Sequence, residues 1–198
     1  MRTSTILLLS AFILAIVLLV TCRIYMPFLI FNGTFENKYT REEVIKNYFD
    51  HEAAIQKLTT YFISKYPEDR DLTFGPGEHS HSYAIGVTLP DGSVDPKRPP
   101  LGGPNLTVNS SEMDTVLSYL HWTPKTLDTL SELLEASNCH NIMSRDPIRL
   151  QFSYSGFGLF EYYIFDQPLP DSVVRRYEDK FGDTVLRPNV VQIYRSSL

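Results

Sequence analysis

Two histidines two residues apart, in Glu78-His79-Ser80-His81, have the types and spacing in this chain closest to metal chemistry. On an extended strand, positions i and i+2 share a face, so His79 and His81 would reach toward one ion. A structural zinc site takes four ligands and a catalytic one three. Only Glu78 lies close by in sequence, and His51, His121 and His140 are scattered along the chain. A polar strand edge is therefore the favoured reading, and no metal ligand is assigned.

Cys139-His140 sets a thiol beside an imidazole, the groups of a nucleophile and its base. Neighbours in sequence rarely face each other, and such pairs are built from distant positions. Cys139 reads instead as a small buried hydrophobe. Gly156-Phe157-Gly158 is followed at the third position by Glu161, so it fails the dinucleotide fingerprint, and it sits between strands where that fingerprint needs a strand and then a helix. Glu68, Asp69 and Asp71 cluster after Pro67 as a solvated turn. The chain contains neither a Gly-x-Ser-x-Gly elbow nor a phosphate-binding loop. No catalytic residue, cofactor-binding residue or cofactor is assigned.

The elements that must position any site are more legible. Thr40-Arg41-Glu42-Glu43 reads as a capping box, with Tyr39 and Val44 placed for a hydrophobic staple. Val44, Tyr48, Ile55, Leu58 and Phe62 then form one stripe at helical spacing, predicting a long helix to about Tyr66, stopped by Pro67. His81 to Leu89 reads as a strand. Pro90 to Ser111, with five prolines and three glycines, reads as a long loop. Ser111 to Leu120 fits a short helix, although Thr115, Leu117 and Tyr119 alternate well enough for a strand. Thr123-Pro124 marks a firmer start, and the leucines at 127, 130, 133 and 134 carry a helix from Pro124 to Ala136.

Beyond Arg149 the period changes from helical to alternating. Leu150, Phe152 and Tyr154, then Phe160, Tyr162 and Ile164, predict a β-hairpin around Ser155 to Gly158. Leu159 to Phe165 carries aromatics on both faces, so either both are covered or one is a contact surface. A short helix within Asp171 to Phe181 and a last strand from Val190 to Tyr194 complete an α+β fold: two layers, helices packed on a mainly antiparallel sheet, preceded by one N-terminal transmembrane helix.

Trp122-Thr123 through Leu133-Leu134, Ala136-Ser137-Asn138-Cys139 and Tyr154-Ser155-Gly156-Phe157-Gly158-Leu159-Phe160 resemble uncharacterised small membrane-attached bacterial proteins, in which a leucine-rich helix ending in Asn-Cys precedes a Ser-Gly-x-Gly hairpin. The resemblance spans about the last 80 residues. It implies no activity and tilts the setting toward a bacterial envelope.

The address comes from the N-terminus. Ile6 to Val20 contains one polar residue and no charge, and continuing to Cys22 gives 17 residues. At about 1.5 Å per residue these span roughly 25 Å, a little short of the roughly 30 Å hydrocarbon core. Arg23 can snorkel, and Ile24 to Phe31 supplies an interfacial aromatic collar. A cleaved signal peptide is disfavoured because no Ala-x-Ala site follows the run. A lipoprotein signal ending at Cys22 is disfavoured because Thr21 stands where Gly, Ala or Ser is usual. Residues 1–31 thus read as anchor and collar, and residues 32–198 as one globular domain.

Arg2 and Arg23 are the only charges in the first 31 residues, so the rest holds 16 basic against 23 acidic side chains, a net −7. That sign argues against nucleic acid. The expectation is a single-pass membrane protein, its C-terminal domain outside the cytoplasm, serving as a binding or structural module of the envelope with a protein partner. An enzyme assembled from separated residues and a toxin-immunity protein are the alternatives.

Overall fold

A computed structural model describes residues 39–67, 70–79, 81–88, 101–144, 146–155, 158–180 and 182–196. The apolar run and collar, Glu68, Asp69 and the Gly156-Phe157 turn lie outside these residues. The described residues belong to one unit, Tyr39–Leu198. Among them are four helices and one antiparallel sheet of eight strands, an α+β fold. No described helix is long and apolar enough to cross a membrane.

Helix α1 (Arg41–Ile63) begins at the capping box: Glu43 N donates to Thr40 Oγ1 at 3.2 Å and Thr40 N to Glu43 Oε2 at 2.7 Å. It ends at Ile63, and the turn beyond is held by Tyr66 N donating to Phe62 O at 3.0 Å. Helix α2 (Ser111–Leu120) is capped one residue earlier than its spacing suggested, with Ser110 Oγ accepting from Met113 N at 3.1 Å. Helix α3 (Pro124–Ala136) has the bounds read from its sequence, and helix α4 (Asp171–Glu178) falls within the predicted segment.

The strands are β1 (Asp71–Pro76), β2 (Ser82–Thr88), β3 (Leu101–Thr107), β4 (Asn141–Met143), β5 (Ile148–Ser155), β6 (Gly158–Ile164), β7 (Thr184–Arg187) and β8 (Val190–Ser196). They lie in the order β3-β2-β1-β4-β5-β6-β8-β7. The two halves of the sheet meet where β1 pairs with β4, Phe74 opposite Ile142. Ser144 clamps that seam: its Oγ accepts from Leu72 N at 2.6 Å and its own N–H donates to Leu72 O at 2.8 Å.

The long loop read over Pro90 to Ser111 is corrected over its second half, where β3 forms an edge strand on β2. Glycine and proline hide it, since both are depleted in strands, yet an edge tolerates them. Gly102 adopts φ +107°, and a Cβ there would lie 1.9 Å from Ile85 O. The turn read after Pro67 is likewise corrected at Asp71, which opens β1 and so leads into the buried Leu72 and Phe74.

One face of the sheet carries the main core. Val44, Tyr48, Ile55, Leu58 and Phe62 of α1, Met113 and Val116 of α2, and the four leucines of α3 pack with Leu72, Phe74, Ile85, Ile142, Leu150, Phe160 and Tyr162. Trp122 joins these layers, its Nε1 donating to Lys65 O at 2.8 Å while its ring meets Phe74 edge-on at 6.0 Å. Tyr163, Val191 and Ile193 alternate with the core residues of β6 and β8. They form a second, smaller cluster with Phe165, Leu169, Val185 and Tyr177, the last from α4. Both faces of the aromatic β6 are thus covered.

Candidate functional site

The candidates read from the sequence are not brought together. His81 has left-handed backbone, φ +60°, and sits in a turn ahead of β2, so it does not share a strand face with His79. His79 is instead tied into that turn, its N–H donating to Ser82 Oγ at 3.1 Å. His51 lies far off, its Nδ1 3.0 Å from Ala136 O. Among the described residues, no three His, Cys, Asp or Glu side chains gather as a metal would require.

Cys139 is buried under the main core, with its Sγ 3.5 Å from Ser137 O. Burial pushes its thiol up to about 12, against the pull of that hydrogen bond. The thiolate is the reactive form, so the native group is inert near neutral pH. In a Cys22→Ser background, Cys139 should be unreactive toward an aromatic disulfide reagent at pH 8 and react stoichiometrically in denaturant. Rapid native labelling would refute this assignment.

What the fold does build is a cleft of about 420 Å³ along α1, facing the ends of β6 and β8. Phe49, Glu52, Gln56, Thr60 and Ile63 follow one another at spacings of three and four, so they run along a single face of α1 for about 21 Å. Ile55, Ile148, Ile164 and Val190 give the cleft apolar walls. At one end Arg187 forks onto Glu52, Nε to Oε1 and Nη2 to Oε2, both 2.7 Å. The same guanidinium lies 4.7 Å over the Phe49 ring. Tyr48 donates to Glu52 Oε1 at 3.4 Å.

These contacts set the local electrostatics. The hydrogen bonds from Arg187, foremost, hold the Glu52 carboxyl below the usual carboxylate range. Burial, followed by the Glu52 charge, pushes the Tyr48 phenol up to about 12. The cleft therefore sets a neutral phenol and a closed ion pair beside an apolar wall, with Asp166 and Asn189 also on its lining. Phe49 and Ile63 remain 42% and 45% exposed and are the exposed large hydrophobic residues among those described. Neither Arg187 nor Glu52 carries a local signal, because 135 positions separate them.

The second face of the sheet holds a polar cluster. Glu161 of β6 is only 2% exposed, and its Oε2 accepts from Arg195 Nε at 3.0 Å and from Tyr163 Oη at 3.3 Å. The guanidinium groups of Arg149 and Arg195 lie 5.0 and 5.3 Å from the Tyr163 ring centroid. Gln151 sits opposite Glu161 in the β5–β6 register. Burial pushes the Glu161 carboxyl up, with Arg195 and then Arg149 opposing it. In the sequence Glu161 stood out only for breaking a glycine motif.

Comparison of the chain with protein-family models, with curated proteins and with solved structures finds no match in any of the three.

Proposed function

We propose that the chain is a single-pass, membrane-tethered binding module of the cell envelope, with its folded part outside the cytoplasm and a protein partner seated in the cleft along α1. The tether rests on the uncharged run from Ile6 to Cys22. The binding role is carried by one observation: Phe49 and Ile63, the exposed large hydrophobic residues among those described, stand on the same α1 face that walls the cleft. Apolar side chains left in water beside a concave, partly apolar surface mark a contact surface.

A photo-crosslinking amino acid placed at Ile63 in intact cells should give a discrete protein adduct, whereas one at Lys125, exposed at the start of α3, should not. Equal adducts from both positions, or none from Ile63, overturn the cleft reading. The intact mass of the mature protein tests the tether separately: the unprocessed chain is expected, and a mass showing cleavage or lipid on Cys22 rejects a retained helix. A folded domain protected from added protease until the inner membrane is breached rejects the orientation.

A further inference from the structure

We propose that the second face of the sheet carries a binding site for a small oxyanion, a phosphate or carboxylate group, formed by Arg149 and Gln151 of β5 with Arg195 of β8. The site lies on the opposite sheet face from the core and does not depend on the cleft reading.

Register puts these side chains on one face of the sheet, with β6 between Arg195 and the other two. Arg149 is opposite Tyr163 and Gln151 opposite Glu161, while Arg195 is opposite Leu159, which shares a face of β6 with Glu161 and Tyr163. Two guanidinium groups face one carboxylate, so the cluster has an excess of positive charge and many more donors than acceptors. Glu161 Oε2 is already occupied by Arg195 Nε and Tyr163 Oη. Arg149 Nε is buried and finds no acceptor among the described residues, and the same holds for Gln151 Nε2.

Both orphaned atoms are donors, on neighbouring same-face positions of one strand, and Gln151 is 97% buried, being only 3% exposed. The Gln151 amide is oriented from its other end, where Asn141 Nδ2 donates to Oε1 at 2.9 Å. Asn141 fits there because Gly75 has no side chain: a Cβ at that position would lie 1.7 Å from Asn141 Oδ1. The Arg149 guanidinium is steadied against the Tyr163 ring. An arginine Nε–H and an amide N–H lacking acceptors, beside surplus positive charge, match the lone pairs of an oxyanion. The Arg195 side chain, 47% exposed, forms the solvent-facing edge of the cluster.

The test uses the full chain in neutral detergent, with inorganic phosphate titrated against chloride at constant ionic strength and acetate run in parallel to separate phosphate from carboxylate. Phosphate or acetate should raise the melting temperature where chloride does not. Arg149→Gln should weaken the apparent affinity about tenfold or more, and Glu161→Gln, which removes the competing carboxylate, should strengthen it several-fold. Should Arg149→Gln fail to fold, ¹⁵N-glutamine labelling of the wild type decides instead: the Gln151 side-chain amide resonance moves on saturation with phosphate or acetate. Micelles doped with phosphatidylglycerol, free of added phosphate, form the last arm. Movement there assigns the group to a lipid headgroup, and movement only with free anion assigns it to a solute. Wild-type melting equal in phosphate, acetate and chloride, a Gln151 amide unmoved in every arm, or an unaltered affinity in a folded Arg149→Gln variant overturns the site.

Discussion

Tyr162→Ala should lower the free energy of unfolding by about 3–5 kcal/mol, the range for emptying a large aromatic from a packed core. The ring is fully buried, and it meets Tyr48 at 5.5 Å and Phe152 at 6.2 Å. Tyr162→Phe isolates the hydroxyl. That group donates to Val44 O at 2.8 Å and accepts from Asn47 Nδ2 at 3.0 Å, while Asn47 Oδ1 accepts from Asn138 Nδ2 at 2.7 Å. One phenol oxygen thereby joins β6 to α1, and through Asn47 to the turn that leaves α3, where Asn138 has φ +51°.

Deleting the oxygen strands a buried amide donor, a loss of about 1–3 kcal/mol although the packing is kept. Asn47→Ala combined with Tyr162→Phe should cost less than the two single changes added together, because both ends of one bond disappear at once. Urea midpoints of the three variants measure this, with slopes unchanged from wild type. A Tyr162→Phe variant within about 0.5 kcal/mol of wild type would mean that the hydroxyl adds nothing net.

Glu161→Ala should also be costly, by about 1–3 kcal/mol, since it leaves the Arg195 and Arg149 guanidiniums beside Tyr163 without their carboxylate. The half-exposed Arg195 keeps the loss below that of a fully buried pair. Glu161→Gln gives the pH signature. Burial raises the folded-state carboxyl above its ordinary value near 4.5, so the folded protein binds this proton more tightly than the unfolded chain does. The resulting stabilisation is full below that ordinary value and is lost as pH rises through the raised one. Wild type should therefore lose stability relative to Glu161→Gln as pH rises above the ordinary carboxyl value near 4.5, read from paired denaturation curves. A flat difference, or a wild type that gains stability relative to Glu161→Gln as pH rises, contradicts the burial of this carboxyl.

The residues explain which parts of the molecule were legible in advance. The start of α1 was readable because Thr40 and Glu43 satisfy each other's amides within four residues, without help from the rest of the fold. The bounds of α3 were readable because Pro124 opens it and its leucines keep one period. The β5–β6 hairpin was readable because its strands are adjacent in sequence and strongly alternating. Each of these signals is complete within a short window.

Other features had no such window. Strands β4 and β7 have three and four residues, too few to display a period, and they exist because longer neighbours offer them unpaired amides. Strand β3 contains Gly102, Gly103 and Pro104, a composition that suggests a loop until the edge of β2 supplies a partner. The polar sites follow the same logic. Glu52 and Arg187 meet only because α1 lies across the turn between β7 and β8, and Arg149, Gln151, Glu161 and Arg195 meet only because β5, β6 and β8 pair in one register.

The sequence by itself determined the class of fold, the core stripes of the longer helices and the central hairpin, and it holds the uncharged N-terminal run on which the proposed tether rests. Each follows from chemistry acting over one helical turn or one strand. Only the tertiary structure decided the eight-strand order, the cleft along α1 and the cluster on the second face. Those depend on which distant segments share a register, and register is settled by the packing of the whole sheet.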